Sequence, residues 1–156
     1  MIWLGPAGIP TVCKERNTLA GIKTVSELGL NAMEVEFVRG VKMNLELAKE
    51  AGEVAKELNV KLSVHAPYFI NLCSQEKQKV ENSKKMILDS AERAEAMNAD
   101  IVVFHPGFYG KMSTQEAMEK VKKECEDLID RMRSIGIRGV KLGLETTGKQ
   151  STFGTL

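Results

Sequence analysis

Apolar and polar positions repeat with two different periods along the chain, and the two periods alternate in a regular order. Short apolar runs with alternating polar positions are typical of β-strands, whereas apolar residues three and four positions apart are typical of amphipathic helices. The pattern predicts five strands, over residues 2–4, 31–38, 60–65, 99–105 and 139–145. It predicts four helices, over residues 18–28, 44–58, 75–97 and 113–135.

This alternation predicts a parallel sheet, because each helix supplies the crossover that parallel strands require. An open doubly wound sheet and a (β/α)8 barrel both fit. No Gly-x-Gly-x-x-Gly run follows a strand, which disfavours a dinucleotide-binding sheet. Each unit takes roughly 35 residues, so eight units would need about 280 residues. We therefore predict an α/β fold of parallel β/α repeats, a partial TIM barrel of five strands and four helices. Residues 1–156 are expected to form one domain, the N-terminal part of the barrel.

Composition and charge add few constraints. The chain is 43% hydrophobic and 28% charged, which is ordinary for a globular protein, and its net charge of +1 neither favours nor excludes nucleic acid. Three cysteines without a CxxC pair are expected to be reduced thiols of a cytoplasmic protein. No apolar run approaches the ~20 residues of a membrane span. The helical face with Lys77, Lys84 and Lys85 is expected to be solvated.

Three polar residues stand at the ends of successive predicted strands. His65, His105 and Glu145 follow one another at intervals of 40 residues (105 − 65 and 145 − 105). Strand alternation turns all three toward the interior of a barrel. Two histidines and a glutamate form a known catalytic zinc set, which leaves a position for water. A strand-end histidine can also be an ordinary hydrogen-bonded residue, but three such residues at consecutive strand ends favour a metal site.

Two further acidic residues, Glu34 and Glu36, share one face of the second predicted strand. That face is expected to point inward. Glu36 is a possible additional metal or substrate ligand. An ion pair between Glu36 and the inward-facing Lys61 is an equal alternative.

Three motifs together resemble the endonuclease IV family of apurinic/apyrimidinic DNA endonucleases. They are the run His-Ala-Pro-Tyr-Phe-Ile-Asn-Leu at 65–72, His-Pro-Gly at 105–107 and Leu-Glu-Thr-Thr at 144–147. The resemblance implies a (β/α)8 barrel with up to three zinc ions, which cleaves the phosphodiester 5′ to an abasic deoxyribose. His65, His105 and Glu145 match the family's ligands, and Glu145 matches the catalytic ligand that bridges two zincs.

The resemblance also implies residues that bind double-stranded DNA with abasic sites. Tyr68 and Phe69 match the loop that enters the minor groove and wedges the base stack, although both could instead anchor the loop by burial. Arg39 resembles the family's other DNA-penetrating residue.

The chain departs from this family in two respects. Thr-Thr-Gly-Lys-Gln follows Glu145 where many members have Ala-Gly-Gln-Gly. The family's later ligands, among them an Asp-x-x-His pair, have no counterpart before Leu156. At most one zinc site is therefore expected to be complete, and this polypeptide alone is expected to have little or no nuclease activity.

Two other functions fit the pattern. One is a metal-dependent sugar isomerase or epimerase of a related barrel, using one divalent metal and carboxylates such as Glu34 and Glu36. The other is a non-enzymatic partial barrel, whose open sheet edges invite self-association.

Overall fold

The computed structural model describes residues 2–154, in which helices and strands alternate. The elements are α1 (Thr18–Glu27), β1 (Ala32–Glu36), α2 (Leu45–Glu57), β2 (Lys61–His65), α3 (Lys77–Ala96), β3 (Ile101–Phe104), α4 (Thr114–Ser134) and β4 (Lys141–Leu144). Within this range the strands form one parallel sheet in the order β1-β2-β3-β4. The predicted α/β class and partial TIM-barrel architecture are confirmed, with four strands rather than five.

The predicted strand at residues 2–4 is wrong, although its segment follows the edge of β1. The Leu4 carbonyl accepts hydrogen bonds from the amides of Asn31 and Ala32, at 3.1 and 3.2 Å. Pro6 has no N–H to continue a ladder, so a single isolated bridge forms, between Ala7 and Glu34. The segment therefore lies along the sheet without becoming a regular strand.

Side-chain caps explain where α1, α2 and α4 begin, whereas α3 begins without a side-chain cap. The Asn44 side chain accepts a hydrogen bond from the Leu47 amide at 2.8 Å, and Asn17 does the same for α1. Ser113 and Glu116 form a capping box at the start of α4, as the sequence predicts. The box lowers the pKa of Glu116, because that carboxylate accepts hydrogen bonds from the Ser113 amide and hydroxyl. These caps satisfy backbone N–H groups that the first turn of a helix leaves unpaired.

The hydrophobic core lies between the sheet and the helices. We call this side of the sheet the convex face and the opposite side the concave face. Buried convex-face side chains include Val64, Val102 and Phe104, each 0% exposed. Ala48, Ala51, Ala91 and Ala94 are buried on α2 and α3. Burial of each large apolar side chain contributes about 1.5–3 kcal/mol.

A charged cluster joins α3 to α4. Lys84 is buried and pairs with Glu81, Glu124 and Asp127 at 2.6, 2.8 and 2.9 Å. Burial alone would lower the pKa of Lys84, but hydrogen bonds to the three carboxylates raise it above its ordinary value. Hydrogen bonds from Arg131 and Lys84 lower the pKa of Glu81 to about 2. The expectation that Lys84 is solvated is wrong, because the neighbouring helix covers it and supplies its partners.

Two further sequence predictions concern the cysteines and membrane-spanning segments. Cys13, Cys73 and Cys125 are unpaired in the structure. Burial raises the pKa of the Cys125 thiol to about 11. Across residues 2–154, none of the helices combines the length and apolar character needed to cross a membrane.

Candidate metal centre

Three neighbouring strands deliver His65, His105 and Glu145 to one edge of the sheet. His65 is the last residue of β2, and His105 and Glu145 directly follow β3 and β4. The register pairs Val103 with His65 and Phe104 with Leu144. Because the strands are parallel, their carboxyl ends meet at one edge, and strand alternation turns the three side chains to the concave face.

The ligand atoms of these three residues converge. His65 Nε2 lies 3.1 Å and His105 Nε2 lies 3.7 Å from the same Glu145 Oε2. All three ligand atoms lie within 4.8 Å of one another. A tetrahedral zinc site with bonds of 2.0–2.1 Å places its ligand atoms about 3.3 Å apart. The donor set and the spacing therefore fit a small divalent cation.

The hydrogen bonds of His65 strengthen this fit. Its Nδ1 lies 2.8 Å from the Ala66 carbonyl oxygen, which can only accept, so Nδ1 carries the hydrogen. In the neutral ring, Nε2 is then an acceptor and faces the carboxylate oxygen of Glu145, a second acceptor. Two acceptors at this distance need a cation or a proton between them. A backbone partner on the outer nitrogen is also how metal-binding histidines are usually oriented.

His105 lacks such a partner. Its Nδ1 is buried and has no hydrogen-bond partner within residues 2–154. The His105 side chain is 37% exposed and that of His65 is 11% exposed. The protein therefore fixes the tautomer of His65 and leaves that of His105 open.

The inward acidic residues of β1 lie beside the cluster and not in it. Glu34 Oε2 accepts a hydrogen bond from the Ser63 hydroxyl at 3.2 Å. Glu36 is exposed, and it is not one of the three converging ligands. Its role as an additional ligand stays a prediction.

The predicted ion pair between Glu36 and Lys61 does not form in the structure, so this alternative is wrong. Lys61 pairs with Asp100 and lies 5.5 Å from the ring of Trp3. The register matches Lys61 with Ala32 at the amino end of β1, whereas Glu36 stands at the carboxyl end. Four residues of strand separate the two ends by about 13 Å.

The predicted DNA-contacting residues lie on the same rim as the cluster. Tyr68 and Phe69 follow β2 in a segment that we call the β2 loop (66–73), and they are 59% and 67% exposed. This exposure excludes the alternative that they anchor the loop, a role that the buried Ile70 and Leu72 fill. The Tyr68 ring lies 6.3 Å from the His65 ring. Arg39 is exposed and directly follows Val38, whose carbonyl accepts a hydrogen bond from the Tyr68 amide at 3.3 Å.

Two rim residues were missed by the sequence analysis. Phe108 is 52% exposed on a segment that we call the β3 loop (106–112). The Asn71 side chain joins the two loops, since its Oδ1 accepts hydrogen bonds from the amides of Cys73 and Phe108, at 3.1 and 3.4 Å. The available signal was an aromatic residue directly after His-Pro-Gly, which the predicted barrel places at the rim.

Sequence comparisons place the chain among barrel proteins. A family model described as a xylose isomerase-like TIM barrel matches residues 22–156. An uncharacterized protein of Methanocaldococcus jannaschii is 34% identical over 156 residues, which is 100% of this chain and 55% of that protein. A "probable endonuclease 4" of Ureaplasma parvum is 33% identical over 110 residues, covering 68% of this chain and 35% of that protein. The chain thus spans about half, or less, of the length of these relatives.

Solved structures of two enzyme classes share the fold. A D-psicose 3-epimerase from Clostridium cellulolyticum superposes with a TM-score of 0.71 and 16% identity, over 96% of this chain and 55% of that one. Endonuclease IV from Thermus thermophilus superposes with a TM-score of 0.64 and 20% identity, over 95% of this chain and 54% of that one. At these identities the likeness establishes the fold alone, so function has to be argued from the site.

Proposed function

Because the chain belongs to the xylose isomerase-like TIM-barrel family, we propose that it acts in a zinc-dependent endonuclease that cleaves DNA 5′ to abasic sites. In this proposal residues 1–156 form one domain, the N-terminal part of the barrel. The reaction belongs to base excision repair in the cytoplasm. The observation that carries the proposal is the convergence of His65, His105 and Glu145 at three adjacent strand ends.

The three side chains would hold the metal. His65 supports this role through its fixed tautomer, and Glu145 through an oxygen that lies close to both histidines. A bound zinc ion would supply Lewis acidity and a water that ionises near neutral pH. The Glu145 side chain is 45% exposed, so a phosphodiester can approach this edge from solvent. One set of three candidate ligands lies within residues 2–154, which supports one complete zinc site in this part of the protein. The proposal of up to three zinc ions in the intact protein rests on the resemblance to the endonuclease IV family.

The exposed rim supports DNA as the substrate. Tyr68 and Phe69 are apolar wedges beside the cluster, and Arg39 adds a positive charge to the same rim. Inserted wedges offset the cost of unstacking a base step, which is a few kcal/mol and lowest at a damaged site. Similarity to a "probable endonuclease 4" supports the same substrate class.

Metal analysis of the purified chain tests the site. We expect about one zinc per wild-type chain after dialysis and a loss of bound zinc in His65→Ala and Glu145→Ala. Glu53→Ala, at an exposed position of α2, is the matched control and should bind zinc like the wild type. Unchanged zinc content in both site variants would contradict the proposed centre.

DNA binding tests the substrate. The chain should bind a duplex that contains an abasic analogue more tightly than an intact duplex of the same sequence. Tyr68→Ala and Phe69→Ala should reduce this preference. Equal binding of both duplexes by the wild-type chain would refute recognition of abasic sites. We expect little nicking by the 156-residue chain, so affinity is the primary measurement.

A metal-dependent sugar epimerase is the second candidate. The observation that favours it is the position of Glu34, hydrogen-bonded to Ser63 on the concave face near the candidate metal centre. A carboxylate there could move a proton on a bound sugar. Metal-dependent turnover of a ketohexose, with no preference for abasic DNA, would establish this function in place of the nuclease.

We also propose that the chain self-associates through its sheet edge. Leu144 at β4 is 41% exposed, and unpaired strand edges are templates for further pairing. Light scattering at high protein concentration should show a mass above that of one chain. A monodisperse monomer would contradict this proposal.

A further inference from the structure

A third exposed aromatic residue shares the rim with Tyr68 and Phe69. Phe108 is 52% exposed on the β3 loop, between the strand that carries His65 and the strand that leads to Glu145. A single exposed aromatic residue needs no explanation. Here three lie on the loops that follow two adjacent strands, at the edge of the sheet where the candidate metal ligands meet.

The β3 loop is arranged so that Phe108 faces solvent while its neighbour Tyr109 is packed. The Tyr109 ring lies 6.1 Å from the buried Phe153, and its hydroxyl accepts a hydrogen bond from the Gly154 amide at 3.2 Å. The Phe108 backbone forms an antiparallel bridge with Thr152. Tyr109 thus supplies the apolar anchor of the loop, and Phe108 is not needed for it.

Hydrogen bonds hold the base of this loop from both sides. The Phe153 amide donates to the Gly107 carbonyl at 2.9 Å, and the Leu72 amide donates to the Pro106 carbonyl at 2.8 Å. Gly107 has a φ of 141°, and a Cβ there would overlap Asn71 Oδ1. A backbone fixed in this way presents Phe108 at low entropic cost when a ligand arrives.

We propose that Phe108 stacks on a nucleobase next to the abasic site in bound DNA. The inference rests on the proposed DNA substrate and extends it by a base contact one strand further along the sheet than Tyr68 and Phe69. An exposed aromatic face suits an unstacked base of any identity, since every base has a π-face. Asn71 is a positioning residue in this proposal, since its side chain joins the two loops.

Binding of short duplexes by the full chain tests the contact. Phe108→Ala should weaken binding to a duplex with one abasic analogue by about 5- to 150-fold, the range for loss of one base–aromatic stack. Phe108→Tyr keeps the ring and should restore affinity. Met118→Ala removes an equally exposed apolar side chain from α4 and should leave affinity unchanged. Circular dichroism and zinc content should match the wild type in all three variants.

A double-mutant cycle, which combines Phe108→Ala with removal of a single base from the DNA, identifies the stacked base. Two further duplexes carry a second abasic analogue in place of the 5′ or the 3′ neighbouring base. In one of them the effect of Phe108→Ala should disappear, because the base that Phe108 contacts is missing. An effect that persists in both duplexes, or equal affinity of Phe108→Ala and wild type, would overturn the inference.

The outcomes separate this inference from the proposed function. If Tyr68→Ala weakens binding and Phe108→Ala does not, the DNA substrate stands and the Phe108 contact fails. The chain could bind no zinc while the effect of Phe108→Ala still disappears when one neighbouring base is removed. In that case the metal centre is refuted and the Phe108 contact stands. If the wild-type chain binds neither abasic nor intact duplex, both proposals are refuted.

Discussion

The two faces of one sheet have opposite characters. Val102 and Phe104 on β3 point to the convex face and are 0% exposed. Val103 on the same strand and His105 directly after it point to the concave face and are half-buried. The change from one character to the other takes a single residue, because side chains alternate along a strand. The convex face is closed by helices and carries the stability, and the concave face is open and carries the candidate chemistry.

The contrast weakens toward β4. Leu142 and Leu144 are the register partners of Val102 and Phe104 on the convex face, yet Leu142 is half-buried and Leu144 is 41% exposed. A groove of about 500 Å³ lies beside Leu142, and its lining combines apolar side chains such as Ile129 and Met132 with basic residues such as Arg133. Burial on the convex face therefore depends on helix cover and not on the strand sequence alone.

The largest loss of stability is expected when two adjacent valines on opposite faces of β3 are substituted one at a time. Val102→Ala removes two carbons from a closed core and should reduce the free energy of unfolding by about 2–3 kcal/mol. Val103→Ala makes the same chemical change on the concave face and should cost less than about 1 kcal/mol, because its surroundings are open. Urea denaturation measures both. Equal losses would show that the two faces do not differ in this way.

A second prediction concerns the charged cluster behind the convex face. Lys84→Met leaves three carboxylates without their shared cation and should lower the free energy of unfolding by about 1–2 kcal/mol, less than for a fully buried pair, since Glu81 and Asp127 can still reach water. Zinc content should not change. The matched control is Lys85→Met, at an exposed position where the loss should be small.

The same cluster predicts a pH dependence. The pKa of Glu81 falls from 4.5 to about 2 in the folded chain, and the pKa of Asp127 is also lowered. Their stabilisation is complete above pH 4.5 and is lost as the pH falls toward 2. The pKa of Lys84 is raised, so its contribution is complete below pH 10.5 and declines at higher pH. The difference between wild type and Lys84→Met should therefore be constant between these limits and shrink in acid; a difference that grew in acid would contradict the assignment.

The smallest effect is expected at a helix start. Ser113→Ala removes the cap of α4 and should cost about 1 kcal/mol without changing zinc content, since α4 supports only the convex face. Ser134→Ala, at the other end of the same helix, is the control and should have little effect. Thermal unfolding distinguishes the two. A loss of zinc in Ser113→Ala would show that the helix layer and the concave face are coupled.

Most of the fold follows from local patterns in the sequence. The apolar periodicity predicts all four helices, and the four strands of the sheet lie within predicted runs. The failure at residues 2–4 has a local cause, because Pro6 interrupts the ladder. The failure at Lys84 has a distant cause, since the carboxylates of Glu124 and Asp127 come from α4. Helical spacing says which face a residue takes but not which element covers that face.

The sequence by itself determined that His65, His105 and Glu145 stand at successive strand ends on one face, because alternation and parallel connection are properties of the chain's local order. Tertiary structure alone decided that their ligand atoms come as close as 3.1 Å, that the Ala66 carbonyl fixes the tautomer of His65 while Nδ1 of His105 has no described partner, and that Phe108 faces solvent. These distances, hydrogen bonds and exposures depend on the strand register and on contacts between loops at the same edge of the sheet. Contacts between residues 40 or more positions apart are set by packing, which no local period encodes.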